Sequence, residues 1–380
     1  MMNSIKFAAL AVQLALLLAL PAAAQTASAI DAQARRVLAD TRANGLAIAF
    51  IAQGRVAHVA AFGKRNAKGD PLRTDTVMYG ASLTKTVFAW LVLRLADEGK
   101  LDLDRPLASY LPKPLPEYPA YGALADDTRW QIITARHALT HSTGFANFFF
   151  LEPDKKPRIH FAPGSRYAYS GEGLQLLQFV LEEGLKLDVG ALASAEFARL
   201  GMTRTALSWR ADFAATSADG WNDKGEALPH DQRARVRVAG SMDTTIADMA
   251  KFAAALVTGN GLSPAAAAEL AKPQLAITTW RQFPTLAPEL PPDMWRDNFA
   301  AGLGVVMFAG PQGPAFYKGG HDHQTANTLV CLRGSQRCVV ILSNDVRAEA
   351  GFADLVTAVL GATGAPYAWE YGLNAGKSEP

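Results

Sequence analysis

Apolar and alanine positions from Ile30 to Arg42 follow an amphipathic helical pattern, which Asn44-Gly45 stops. Two apolar runs, Leu46 to Ala52 and Val56 to Phe62, flank Gly54 and predict a β-hairpin. Polar residues continue through Thr76. The run Val87-Phe88-Ala89-Trp90-Leu91-Val92-Leu93 then predicts a strongly apolar helix that ends near Gly99. The stretches 101–106 and 111–114 are rich in turn formers and predict connections, not strands. Further helices are expected at Trp130 to Leu139, Gly173 to Gly184, Val189 to Leu200 and Met242 to Thr258, the last capped by Gly259. Strand patterns return at Gly302 to Ala309, Thr325 to Leu332 and Arg337 to Ser343, followed by an amphipathic helix from Glu349 to Leu360.

Strands at both ends with helices between predict a mixed α/β (α+β) fold. A mainly antiparallel sheet, from about 30–75 and 300–365, would be flanked by N- and C-terminal helices, with a helical region inserted at about 76–299. The proline-rich and aromatic stretch from Trp280 to Trp295 is expected to lie as a loop over a cleft.

Composition refines this picture. The chain has 380 residues, of which 49% are hydrophobic and 19% charged, so a large core is available. The formal net charge is +2 with both signs interspersed, which suggests neither a nucleic-acid nor a membrane-surface partner. Residues 1–24 have the form of a secretory signal: Lys6, an apolar run of 14 residues from Phe7 to Leu20, and small residues Ala22-Ala23-Ala24 before Gln25. The run is short of the ~20 residues that span a bilayer, so a periplasmic or secreted domain of residues 25–380 without a stable membrane anchor is expected.

Cys331 and Cys338 flank Arg333-Gly334-Ser335-Gln336 between two strand-like runs. A hairpin turning at Gly334-Ser335 sets them opposite each other, and an exported compartment permits a disulfide. Two unpaired thiols are the alternative, because a hydrogen-bonded cross-strand pair is a poor disulfide site.

The chemistry centres on Ala81-Ser82-Leu83-Thr84-Lys85-Thr86, small and hydroxyl residues ahead of the apolar helix. Ser82 and Lys85 would lie one turn apart on one helix face. A serine hydroxyl becomes nucleophilic when a nearby base takes its proton, and a buried lysine can be that base. A helix start also offers free backbone N–H groups to an oxyanion. The plainer reading is an N-cap serine with a solvated lysine. His137 and His141 share the four-residue spacing of a ligand pair, and His321-Asp322-His323 also raises a metal. Neither has a full ligand set, so packing and capping roles are expected instead, with no metal or organic cofactor.

Ser82-Leu83-Thr84-Lys85 with Leu93 to Leu103 behind it, Ile132 to Gly144, Pro163-Gly164 followed by Tyr169-Ser170, and Ala239 to Gly259 occur in one order. In that order they resemble the motifs of the class C β-lactamase, DD-peptidase and esterase family of penicillin-recognising serine hydrolases. The resemblance runs from about Asp31 to Leu360 and implies a β-lactamase-like fold. It implies Ser82 as nucleophile, Lys85 and Tyr169 as proton carriers, and Lys318, Gly320 and His321 at the substrate and oxyanion side. A phenol serves as base only beside cations, for which Lys85 and Lys318 are the candidates. The hole itself would be the N–H groups of Ser82 and His321. Tyr167 is the competing tyrosine.

Two departures stand out. Gly171 stands where the family has Asn after Tyr-Ser, with Glu172 as a possible local substitute, and Lys318-Gly319-Gly320 stands in place of Lys-Thr-Gly. The expected function is therefore an exported serine hydrolase acting on a small ester, amide or peptide-like substrate. The alternatives are a β-lactamase or D-amino-acid peptidase, and a non-catalytic penicillin-binding-like sensor or scaffold.

Overall fold

The computed structural model describes residues 26–372, so the expected signal segment lies outside the described residues. Helix α1 (Thr26–Thr41) leads into the hairpin β1 (Gly45–Ala52) and β2 (Arg55–Gly63). The long helix α2 (Leu83–Asp97) follows, and then α3 (Ala135–Leu139), α4 (Gly171–Phe179), α5 (Val189–Arg199), α6 (Ile246–Thr258) and α7 (Pro264–Leu270). The chain returns to strands with β3 (Leu275–Ala276), β4 (Phe299–Ala301), β5 (Val306–Gly310), β6 (Gly313–His321), β7 (Ala326–Leu332) and β8 (Arg337–Ser343). Helices α8 (Phe352–Leu360) and α9 (Tyr367–Tyr371) close it.

Eight strands form one antiparallel sheet in the order β2-β1-β8-β7-β6-β5-β4-β3. The first hairpin joins the last strand directly, with Leu46 opposite Ser343 and Ile51 opposite Cys338. Successive side chains of β1 point to opposite faces. Ala47, Ala49 and Ile51 enter a core with Trp90 and Phe252 of α2 and α6, whereas Leu46, Ile48 and Phe50 meet Ile30, Val37, Phe352 and Leu355 of α1 and α8. Both faces are covered, which is why β1 reads as a continuous apolar run.

Helix α2 is buried along nearly its whole length, with only Arg94, Ala96 and Asp97 part-exposed. A helix apolar on every side belongs inside a protein. It is pinned to the sheet at Gly304, whose φ of 72° turns the segment between β4 and β5 tightly against it. Thr86 Oγ1 donates to Gly304 O at 2.8 Å, and Gly304 N donates to Leu139 O at 2.9 Å.

Several expectations are corrected. The helix expected from Trp130 to Leu139 breaks at Ile133-Thr134, because the Thr134 side chain accepts from His137 N and starts α3 afresh. The strand expected at Gly302 to Ala309 begins only at Val306, because residues 302–305 turn the chain between β4 and β5. Helix α6 starts only at Ile246, where Thr245 caps it through Asp248 N at 3.1 Å. Strand β6 has no counterpart in the expected pattern, since Pro314 and Gly319-Gly320 interrupt its apolar positions.

Cys331 and Cys338 face each other across β7 and β8 and are bonded, with Cα atoms 4.1 Å apart. That spacing is nearer the close, non-hydrogen-bonded kind of cross-strand pair. Both sulfurs are fully buried under α6.

Replacing both cysteines by alanine is expected to lower the unfolding free energy by about 2 kcal/mol, read as a shift in urea midpoint. Gly304→Ala puts a methyl 2.9 Å from Lys85 O and onto Ala89, in a backbone conformation alanine resists. It should cost about 2 kcal/mol or more by the same measurement.

Candidate active site

The entry into α2 sets the geometry. Ala81 has a φ of 44°, in the left-handed region that residues with a Cβ rarely visit, and the chain turns there straight into the helix. Ser82 is the N-cap residue, yet its side chain makes no capping hydrogen bond. Its own N–H has no acceptor among the described residues. The turn is fastened by Thr84 Oγ1, which donates to Ala81 O at 2.5 Å and accepts from Met242 N at 3.2 Å.

Lys85 is 1% exposed and donates to Ser82 Oγ at 3.1 Å. The same ammonium hydrogen-bonds to Ala239 O and lies 4.9 Å from the centre of the Tyr169 ring. Burial pushes the lysine below its ordinary value; Tyr169 opposes that shift and the nearby Lys318 adds to it. The solvated lysine and the capping serine of the plainer reading are both absent from this arrangement.

Tyr169 lies just ahead of α4, and Lys318 Nζ donates to its hydroxyl at 3.4 Å. Lys318 is 4% exposed, and its ammonium also donates to Gly319 O at 2.6 Å. Burial pushes Lys318 down too, against the opposing charge of Glu370. Ser82, Lys85, Tyr169 and the start of Gly319-Gly320-His321 thus line one cleft of about 760 Å³. Tyr167 does not; its hydroxyl donates to Gln282 Oε1 at 2.8 Å in the core.

Strand β6 passes the helix entry at very short range. A Cβ on Gly320 would lie 2.9 Å from Ser82 N and 3.0 Å from Leu83 N, so only glycine allows this approach. His321 follows at the strand end, where Nδ1 meets Glu349 Oε1 at 2.9 Å and that contact raises the imidazole above its ordinary value. Lys318 and both glycines are members of the strand itself, not residues ahead of one.

The two histidines of the four-residue pair do separate jobs. His137 completes the capping box of α3 with Thr134. His141, at a φ of 55°, accepts Ser170 N at Nδ1 at 3.1 Å and places its ring 4.5 Å from that of Tyr169. Burial, with Lys85 and Lys318 adding, holds it well below the ordinary imidazole value, so the phenol packs against a neutral ring. The sequence showed the packing of His141 but not its place beneath Tyr169.

Both departures from the family pattern are filled from elsewhere. A Cβ on Gly171 would fall 2.5 Å from Phe148 Cε1, so an aromatic ring takes the space of the missing Asn side chain. Gly171 N donates to Asn147 Oδ1 at 2.9 Å. Glu172 is no substitute: it turns to Phe149 N at 3.3 Å, and burial raises its carboxyl. At Gly319 a Cβ would fall on the Glu370 carboxylate and the Tyr371 phenol, two α9 groups that no local pattern announced.

The opposite wall carries Phe148, Phe149 and Phe150, with Phe283 from the 280–295 loop. The floor near 231–240 is basic. Arg233 spends its charge on Asp231 at 3.3 Å and Asp243 at 3.4 Å, with its guanidinium 3.5 Å over the Tyr79 ring.

The chain is 34% identical over 168 residues to esterase EstB of Burkholderia gladioli, covering 43% of this chain and 38% of that protein. It is 30% identical over 161 residues to lovastatin esterase of Penicillium rubens, covering 34% of this chain and 40% of that protein. The chain thus matches only about two fifths of the length of these relatives. Among solved structures, a D-alanine carboxypeptidase AmpC from Burkholderia cenocepacia superposes with a TM-score of 0.70 at 18% identity, over 88% of this chain and 98% of that one. A class C beta-lactamase gives 0.70 at 16% identity, over 90% and 97%. Those two likenesses speak for the fold alone. The Beta-lactamase family model matches residues 30–363, and with the site assembled as above the chain belongs to that family of serine hydrolases.

Proposed function

We propose that this chain is an exported serine hydrolase that cleaves an ester or amide bond through an acyl-enzyme on Ser82. The observation that carries the reading is the 3.1 Å contact from the buried Lys85 amine to Ser82 Oγ, with the Tyr169 ring beside that amine. In the forward step the Ser82 hydroxyl adds to the substrate carbonyl while its proton passes to the Lys85 and Tyr169 pair. The N–H groups of Ser82 and His321 receive the oxyanion. The pair then returns the proton to the leaving group, and water releases the acyl group by the same steps reversed.

Ester cleavage is the preferred chemistry. The two curated relatives above are named as esterases, and the amide expected beside Tyr169 is replaced by a phenyl ring. Export is supported by residues 1–24 and by the disulfide, which needs an oxidising compartment.

A fluorophosphonate probe should label wild-type protein and fail on Ser82→Ala. Absence of labelling on the wild type would favour the sensor or scaffold reading. Short-chain p-nitrophenyl esters should turn over faster than nitrocefin or D-alanyl peptides; lactam turnover as the leading activity would replace the esterase with a β-lactamase.

Tyr169→Phe is expected to lower kcat by about 10²-fold or more with little change in melting temperature. An unaltered kcat would show that the phenol carries no proton. Gly320→Ala should lower kcat by about 10-fold or more, because its methyl forces the strand and the Ser82 N–H apart. Ser82 labelling at a wild-type rate would refute that placement of the hole. The acid limb of kcat/KM should lie below the ordinary lysine range, since burial disfavours the Lys85 ammonium.

A further inference from the structure

The least expected group in the cleft is Glu370. It lies on α9, is 8% exposed, and lines the same cavity as Ser82, Lys85 and Tyr169. Its carboxylate makes no ion pair among the described residues, and the buried Tyr317 phenol stands beside it. A carboxylate so buried is costly unless charge of the opposite sign is near.

The surroundings supply that charge. The carboxylate stands against the Cα of Gly319, next in chain to Lys318, in space that any side chain at 319 would take. Lys318 Nζ itself lies 5.1 Å from the Tyr169 ring centre, and Lys85 Nζ lies 4.9 Å from it. Two buried lysine side chains therefore flank one phenol. The other acidic groups of the cleft are committed elsewhere: Asp231 pairs with Arg233 at 3.3 Å, and Asp322 accepts Gln324 N at 2.9 Å.

Helix α9 is held firmly enough to aim the group. Gln282 N donates to Trp369 O at 2.9 Å, and the Trp369 indole N–H donates to Thr279 O at 3.2 Å. Tyr367 meets Thr328 of β7 at 3.2 Å. The titratable groups around Glu370 are Tyr317, Lys318 and His321 from β6, Tyr367 and Tyr371 from its own helix, Lys85 from α2, and Tyr167. Glu349 stands near the same phenols and is taken up by His321.

We infer that Glu370 is a positioning residue for the hydrolytic reaction: its carboxylate is the counter-charge that keeps Lys318 an ammonium beside Tyr169 and so fixes the pH range in which Ser82 reacts. The inference rests on the Ser82 reading and adds to it a residue that touches neither nucleophile nor carbonyl. Burial pushes both lysines down, and Glu370 works against that in each. Removing the negative charge therefore lowers the proton affinity of both. Lys318 then loses its proton at lower pH, which moves the alkaline limb down. Lys85 becomes a free base at lower pH, which moves the acid limb down with it.

The test is the pH dependence of Ser82 labelling by a fluorophosphonate, which requires no knowledge of the natural substrate. Glu370→Gln is expected to displace the whole profile to lower pH by about one unit. Glu370→Asp, which keeps the charge, should hold the wild-type profile even if its rate falls. Superimposable profiles for wild type and Glu370→Gln would overturn the inference, as would a displacement shared by Glu370→Asp. If Glu370→Gln does not fold, carbon-13 lysine titration of the wild-type protein decides. Lys318, assigned by loss of its signal in Lys318→Gln, should keep its proton throughout the pH range in which Ser82 is labelled, and deprotonation within that range would overturn the proposal. An unlabelled wild type would be a separate result that removes the Ser82 reading and this inference with it.

Discussion

An amine taken out of water gives up strong hydration, and much of this molecule is arranged around the one that stands next to Ser82. Helix α2 is apolar on nearly every side because it must carry Lys85 into the interior, under the sheet, where water does not compete for it. The desolvated amine is then compensated by the Ala239 carbonyl and by the face of Tyr169. The outcome is an amine of lowered proton affinity whose hydroxyl partner is one helical turn away. The left-handed Ala81 and the glycine at 320 are local consequences of placing that pair at the very mouth of a helix, within reach of a strand end.

The family pattern is kept in geometry and rewritten in side chains. Two positions that ought to carry polar groups are glycines, and in both the volume is occupied by residues from distant segments. At 171 the replacement is an aromatic ring, which dries that side of the cleft. At 319 it is a carboxylate and a phenol delivered by the last helix. A site altered in this way keeps Ser82 beside Lys85 and lacks an amide side chain at 171.

The sequence made the fold largely legible where periodicity survives. Strands β1, β7 and β8 and helix α2 are largely apolar runs because both of their faces or all of their sides are covered, whereas β2 is a half-exposed edge strand legible through the hairpin pattern. Strand β6 was illegible for the opposite reason: the residues that serve the cleft, Lys318, Gly319 and Gly320, are those that spoil its alternation. Ser82, Lys85 and Tyr169 could be found because each sits at a local helix entry with a recognisable spacing. Glu370 could not, since nothing in Tyr367 to Tyr371 marks which strand that short helix will lie against. Tertiary packing alone brings it to Gly319.

The pairing of β1 with β8 has a consequence for how the molecule comes into being. The hairpin of β1 and β2 is made with one edge bare, and its partner β8 follows far later in the chain. Contacts so far apart in sequence are slow to form, and the sheet cannot close from its first half. The cleft is later still, because β6 and α9 contribute to it. A chain cut before β6 thus carries Ser82 and Lys85 on their helix without the strand and the helix α9 that complete the cleft.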